Sequence, residues 1–305
     1  MRILIVCSEN KGRINPFIEE QVDAIRSLGP ELEYFTIKGK GITGYLSHYF
    51  LLRKKLRAKP YDLVHAHYGL SGLLCTFQKI RPVIITFHGS DVMNKKVRWL
   101  SRWAARRAQF NILVEAGFAK KLGISHFEVV PCGVNFSTFY EVNPVQARLL
   151  LKLSPTEPLV LFTSAFDNPV KNFPLAEKAI QQSVLQPRLI ELKGYSREDV
   201  NLLMNACNVL LLTSFSEGSP QVVKEALTCR LPVLSTRVGD VPQLALKTSG
   251  ITLVPYDATV IAETLDRIIP LGKRVEDQEF IQEYDNEKIA SRICAIYQKV
   301  INHSV

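Results

Sequence analysis

Nearly continuous runs of Val, Ile, Leu and Phe recur along the chain at strand length, each followed by Gly, Pro or polar residues and then by a helical stretch. Alternating apolar and polar residues would leave one strand face in water, whereas continuous runs need cover on both faces, which parallel strands with crossover helices provide. The pattern predicts strands at residues 3–6, 34–37, 63–66, 83–87, 112–114 and 128–130, with helices such as 17–28 and 97–108 between them. Further strands are predicted at 159–163, 189–192, 209–212, 233–235 and 252–254. For 305 residues, two doubly wound parallel domains are the leading architecture, with one large α/β barrel as the other option. The seam is expected near Tyr140–Val145, giving domains 1–143 and 144–286. A last helix in 287–305 has Ile289, Ile293, Ile296, Tyr297 and Val300 at helical spacing and is expected to pack back on the first domain.

With 47% hydrophobic residues and a mean hydropathy of +0.05, the chain can build large cores, which excludes general disorder. Its six cysteines are scattered without a C-x-x-C pair, which points to a reduced, cytoplasmic setting without a cysteine-bound metal. The apolar run Met1–Cys7 is short for a signal peptide and reads as a first buried strand. No stretch approaches the ~18 uninterrupted apolar residues that a spanning helix needs. The net charge of +9 is uneven: residues 1–145 hold 21 Lys and Arg against 11 Asp and Glu, and the remainder is nearly neutral. Such asymmetry suggests an anionic partner for the first half, a lipid surface or nucleic acid. No zinc-finger, RRM or helix-turn-helix signature accompanies it, so nucleic acid is not expected.

The unusual polar residues fall in a regular place. Gly12, His67, His88, Lys171, Gly194 and Glu217 all follow the carboxyl end of a predicted strand, the edge where open parallel sheets bind ligands. The strongest segment runs from Leu212 to Leu227, a strand, a loop and a helix whose start reads Ser219 as N-cap and Pro220 as first helical residue. Free amides there, beside Gly218, suit a phosphate or diphosphate. Glu217 and Glu225 would repel that anion, so they read as acceptors for hydroxyls, as on a ribose and a hexose. Taken alone, Glu225 could equally be a solvated helix carboxylate.

Glu217-x7-Glu225, followed by Ala226–Val233 and Gly239-Asp-Val-Pro242, resembles the donor-site signature of the retaining GT-B glycosyltransferases of family GT4. Asp62-Leu-Val-His-Ala-His67-Tyr-Gly, Thr86-Phe-His88-Gly-Ser-Asp91, Val130-Pro-Cys-Gly133-Val-Asn135 and Asn168-Pro-Val-Lys171-Asn resemble that family's successive blocks, so the likeness spans nearly the whole chain. The resemblance implies two Rossmann-like domains facing a cleft. It also implies transfer of a sugar from a nucleotide-diphosphate-sugar with retention, without cofactor or bound metal. On that carry-over Glu225 binds the ribose, Glu217 the donor sugar, and the amides of Gly218 and Ser219, with Pro220 after them, the diphosphate or sugar hydroxyls. Lys171 neutralises the departing diphosphate. His88 lies beside the donor sugar and Gly12 near the phosphates, whereas His65 and His67 read as structural and Asn135 as a hinge-side hydrogen-bonding residue. Two departures stand out. Ser164–Asp167 lacks the Arg that commonly precedes the lysine, leaving Lys193 or Arg13 as substitutes. The second domain is also abbreviated after Gly194.

Residues 45–59 cluster Tyr45, Tyr49, Phe50 and Leu52 with Arg53, Lys54, Lys55, Arg57 and Lys59, which reads as an interfacial helix on the acceptor or membrane side. A second cluster spans Lys95–Arg107 with Trp99 and Trp103. Each Lys or Arg near an anionic leaflet adds about 1 kcal/mol, so the enzyme is expected at the inner membrane face. The second cluster reads equally well as Trp99, Leu100 and Trp103 anchored in a core with a solvated basic face. In the resembled family the first domain receives the acceptor, often a lipid-linked sugar made for surface polysaccharide. The competing reading is a catalytically reduced sugar-nucleotide-binding module.

Overall fold

A computed structural model describes residues 1–303 except Lys11, Lys40 and Gln278, with no account of side chains 41–43. The chain forms two compact units, Met1–Cys132 with Asn286–Val305, and Gly133–Asp285.

Unit 1 holds strands β1 (Arg2–Ser8), β2 (Glu31–Ile37), β3 (Leu63–His67), β4 (Val83–Phe87), β5 (Phe110–Leu113) and β6 (Glu128–Val129). They form one sheet in the order β2-β1-β3-β4-β5-β6, parallel throughout. Side chains of both faces are buried: Leu4 and Val6 pack with the helices at 49–58, 69–76 and 95–107, and Ile3 and Ile5 with the helix Pro16–Ser27 and the last helix, Asn286–Asn302. That last helix buries Ile289, Ile293, Ile296, Tyr297 and Val300 in this core.

Unit 2 holds β7 (Leu159–Phe162), β8 (Arg188–Glu191), β9 (Val209–Leu212), β10 (Val233–Thr236) and β11 (Ile251–Val254). The sheet order is β11-β10-β9-β7-β8, again parallel. In each unit the chain lays one strand on one side of its first strand and then continues on the other. Strand order therefore reverses between β1 and β3, and between β7 and β9. Such reversals open a crevice at the strands' carboxyl ends.

Two local readings change. The division between units falls at Cys132/Gly133, ahead of the expected 143/144 seam. Val134 pairs with Asp285 and donates its amide to Tyr284 O at 2.7 Å, while the Tyr140 and Val142 amides donate to Asn201 and Asn205 side chains; segment 133–143 is thereby bound into unit 2. In the basic segment Leu52 is fully buried, not interfacial, and of Trp99, Leu100 and Trp103 in the second cluster only Leu100 is buried in the core, the two tryptophans being exposed.

Candidate active site

Lys171 ends a 3-10 turn, Pro169–Lys171, after β7; Glu217 lies in the loop after β9. The two loops meet over the reversal point of the second sheet. The Phe215 amide donates to Val170 O at 2.9 Å, and the Thr213 hydroxyl donates to the carbonyls of Lys171 and Asn172 at 2.9 and 3.1 Å. Asn172 adopts a left-handed φ of 55° to make this turn. The result is a 2.7 Å ion pair between Lys171 Nζ and Glu217 Oε1, with side chains only 15% and 14% exposed. A cation and a carboxylate, half-withdrawn from water and held from opposite loops, are thus positioned at one point of the sheet edge.

The next residues are held from below. The Asp240 amide donates to Gly218 O at 3.0 Å. A Cβ at Gly239 (φ +55°) would lie 2.3 Å from that carbonyl, so glycine permits the close approach. The Ser219 hydroxyl donates to Asp240 Oδ2 at 2.6 Å, and the fully buried ammonium of Lys224 donates to both Ser219 Oγ and Asp240 Oδ2 and lies 5.1 Å over the Tyr284 ring. This corrects the predicted helix start: the helix is Gln221–Thr228, Pro220 is the N-cap residue, and Ser219 caps nothing because its hydroxyl is engaged by Asp240 and Lys224. No described residue accepts from the Gly218 or Ser219 amide.

Glu225 is 3% exposed, so it is not a solvated helix carboxylate. Its Oε1 accepts from Arg197 at 2.5 Å, and that guanidinium lies 4.5 Å over the Phe139 ring. Neither Arg197 nor the Lys224–Asp240 pair was singled out by sequence reasoning; Arg197 is far from Glu225 in sequence, and Lys224 stands where the helix face calls for an apolar residue. Lys193, a candidate to replace the missing arginine, pairs with Asp167 at 2.8 Å on the surface.

In unit 1, Gly12 follows β1 in a positive-φ turn, with its amide donated to Glu9 O. His88 follows β4. Its Nε2 shares a 3.0 Å hydrogen bond with His67 Nδ1, and Phe17 and Tyr68 lie against the ring. His88 Nδ1 is buried and has no partner among the described residues. His65 hydrogen-bonds Tyr297 and Thr86 at 2.6 and 2.7 Å, a structural link to the last helix. Burial without a countercharge pushes the His67 pKa down to about 3, and those of His65 and His88 well below their ordinary value. The imidazoles are therefore neutral at pH 7. Burial raises Asp91 to about 6 against the pull of backbone amides; its carboxylate accepts from the amides of Gly69, His88 and Gly89 and so fixes the loop that carries His88. Tyr68 holds a φ of 71°, a costly conformation for a non-glycine residue and one that clusters at functional sites. Around it lies a polar cavity of about 380 Å³ lined by Asn10, Arg13, Asn15, Tyr68 and Asp91 among others.

The basic helix Tyr49–Ala58 has its charges divided. Lys55 and Lys59 pair with Glu33 and Arg53 donates to the Tyr49 hydroxyl, while Lys54 and Arg57 are exposed. Among the described residues no group of three His, Cys, Asp or Glu is arranged to hold a metal ion, and no helix is long and apolar enough to cross a membrane.

The chain is similar to known glycosyltransferases in sequence and in fold. The profile of Glycosyltransferase Family 4 matches residues 12–138, and that of Glycosyl transferases group 1 matches residues 156–285. An uncharacterized glycosyltransferase of Methanocaldococcus jannaschii is 25% identical over 86% of this chain and 82% of its own. A Bacillus subtilis protein provisionally named for teichuronic acid biosynthesis is 28% identical over 68% of this chain, which spans 61% of that relative. Among solved structures, sucrose-phosphate synthase from Thermosynechococcus elongatus superposes with a TM-score of 0.84 at 19% identity, covering 99% of this chain and 100% of that one. Anabaena HepE, solved with UDP and glucose, superposes at 0.78 and 16% identity over 98% and 100%. The two parallel-sheet units and these neighbours give the fold class, GT-B.

Proposed function

The chain belongs to glycosyltransferase family 4, and we propose that it transfers a sugar from a nucleotide-diphosphate-sugar, with retention and without a metal, to a glycan or lipid-linked acceptor. The observation that carries this reading is the Lys171–Glu217 pair at the reversal point of the second sheet, next to the uncommitted amides of Gly218 and Ser219. A departing diphosphate gathers negative charge as the glycosidic bond breaks. Lys171 and the two amides would stabilise that charge where it develops, in a site partly withdrawn from water. Glu217, holding the ammonium in the resting state, would exchange it for the phosphate and turn to a sugar hydroxyl. Glu225 would accept from the ribose, with Arg197 holding it in place. In the first unit, the neutral His88 would offer its unpartnered Nδ1 to a sugar hydroxyl, and Gly12 would let backbone approach the phosphates.

Because HepE holds UDP and glucose in its complex, UDP-sugars are the first donors to try. The name of the Bacillus relative supports a role in surface polysaccharide, and the exposed Phe50, Lys54 and Arg57 support docking of this cytoplasmic enzyme at an anionic membrane face, which sedimentation with anionic vesicles at low salt tests. The proposed function itself is tested by a thermal-shift and donor-hydrolysis screen over UDP-, GDP- and ADP-sugars, repeated with Glu225→Ala. At least one donor should stabilise and be hydrolysed by the wild type and lose affinity in the variant; no response to any donor would refute the reading. One observation favours the second reading, a sugar-nucleotide module that binds without turnover: Glu217 and Glu225 are both already ion-paired. Calorimetric donor binding with neither hydrolysis nor transfer would select it.

A further inference from the structure

At the amino ends of β7 and β9, the edge of the second sheet opposite to Lys171 and Glu217, lies a cavity of about 200 Å³ lined by Arg148, Asn208, Ile268, Ile269, Lys273 and Arg274 among others. No Asp or Glu is among its described lining residues. Arg148 is only 7% exposed. Its guanidinium donates to the carbonyls of Ala206, Ser154, Pro155 and Glu157 and to Asn208 Oδ1. Arg274 donates from Nη1 and Nη2 to the carbonyls of Met204 and Asn205, which leaves its Nε without an acceptor among the described residues. Those carbonyls close the helix Arg197–Ala206, and a helix carboxyl end attracts cations. They carry no net charge, however, and among the described residues neither arginine nor the exposed Lys273 has a carboxylate partner. The nearby acids are committed elsewhere, Glu157 to Arg188 at 3.6 Å and Glu141 to Arg230 at 3.0 Å. Burial pushes the Cys207 thiol up to about 12, so no thiolate supplies the missing charge. Burial is also the main cause that lowers the Arg274 pKa, and the Arg148 charge adds to it. Charges withdrawn from water without a counterion are costly, and an anion entering the cavity removes that cost.

We propose that this cavity binds a small phosphate monoester, with its phosphoryl group toward the two guanidiniums and Lys273 and its carbon skeleton against Ile268 and Ile269. Guanidinium forks match phosphate oxygens in geometry and charge. A bare phosphate ion would leave the isoleucines uncovered, whereas a few carbons cover them. The volume is below the roughly 300–1,000 Å³ of sites for drug-sized ligands, so a nucleotide-sugar is too large. The site is therefore separate from the one around Glu217, and the inference does not rest on the transferase reading. Arg148 and the Leu159 amide both donate to Asn208 Oδ1, at 3.0 and 2.8 Å, and the Asn208 amide donates to Leu159 O at 2.9 Å. An occupant held by Arg148 thus steadies the first residues of β7 and β9 and stabilises unit 2 by mass action.

The test titrates inorganic phosphate, n-propyl phosphate and UDP-glucose separately against the full chain by calorimetry at matched ionic strength, with hydrogen exchange to locate each. Propyl phosphate should bind about tenfold or more tightly than inorganic phosphate, since each buried methylene adds up to about fourfold. It should protect peptides covering residues 144–158, 204–209 and 268–275, which UDP-glucose should leave unprotected. Lys273→Glu, at an exposed position, and Arg274→Gln should each weaken propyl phosphate about tenfold or more. Lys178→Glu, also exposed and on the helix Phe173–Gln182, should leave its affinity unchanged. Absence of propyl phosphate binding, protection confined to residues 168–173 and 213–222, or an equal loss in Lys178→Glu, which marks unspecific attraction to a basic chain, would each overturn the site. Equal affinity for propyl and inorganic phosphate would overturn the ester assignment. Failure of UDP-glucose and every other donor to bind, with propyl phosphate bound as described, would count against the transferase reading and leave this site standing.

Discussion

The Lys171 ammonium and the Glu217 carboxylate hold one another at 2.7 Å, so each substitution removes a partner as well as a side chain. Lys171→Ala is expected to lower turnover about 10²–10³-fold, the usual loss when one donor to developing charge is removed, with a much smaller effect on donor affinity; steady-state kinetics that show raised KM and unchanged kcat would contradict this. The histidines of unit 1 make a pH prediction whose sign follows from their depressed pKa values. Imidazoles that stay neutral in the fold but protonate in the unfolded chain near 6.5 stabilise unit 1 above that pH, and the contribution is lost as pH falls. His67, down to about 3, should alone cost about 2 kcal/mol at pH 5. Asp91, raised to about 6, acts oppositely: its contribution is lost as pH rises through 6, so it returns ~1 kcal/mol at pH 5. With His65 and His88 shifted in the same direction as His67, the histidines prevail. Tryptophan emission reports on unit 1, since both tryptophans lie there, and its urea midpoint should be lower at pH 5 than at pH 7.5. An equal or higher midpoint would be the opposite result.

At the scale of elements, the loop before helix 221–228 is shaped less by that helix than by a buried charge. Lys224 joins Ser219 to Asp240 and so ties the loop after β9 to the loop after β10. Lys224→Met should destabilise the chain by about 3–5 kcal/mol, because it leaves a largely buried carboxylate unpaired, and Lys224→Met with Asp240→Asn should recover much of that loss; urea unfolding that finds the single variant as stable as the wild type would discount the clamp. This clamp marks the limit of what the sequence reveals. The strands at 83–87 and 209–212 were legible to the residue, because apolar runs buried on both faces have few other places to go. The position of Lys171 and Glu217 past strand ends was legible from the strand pattern. The Ser219 cap reading failed because a local rule was overridden by partners from beyond the loop, Asp240 and Lys224. Arg197 and Glu225 meet across chain segments that carry no shared local signal, and the φ of Tyr68 leaves no mark in composition.

For the whole molecule, the chain's end completes unit 1. Ile293 and Tyr297 from the last helix lie in the core with Ile3, Ile5 and Leu63, and Tyr297 satisfies His65 Nδ1. The apolar spacing of that helix was readable in sequence, as was its expected return to the first domain, whereas the division at Cys132/Gly133 was not, since it depends on Val134, Tyr140 and Val142 bonding to distant residues. Ile293→Ala should cost unit 1 about 2–5 kcal/mol and shift the tryptophan-detected transition. A midpoint equal to that of the wild type would show that the helix end contributes little to this core. The central claim is that a nucleotide-sugar is held at the carboxyl edge of the second sheet by the segment around Glu217 and Gly218. Hydrogen-exchange mass spectrometry with and without UDP-glucose, and then with whichever donor the screen selects, tests it most directly. Protection should concentrate in peptides covering residues 168–173, 213–222 and 237–241; protection absent from all three while the donor is bound would contradict the claim.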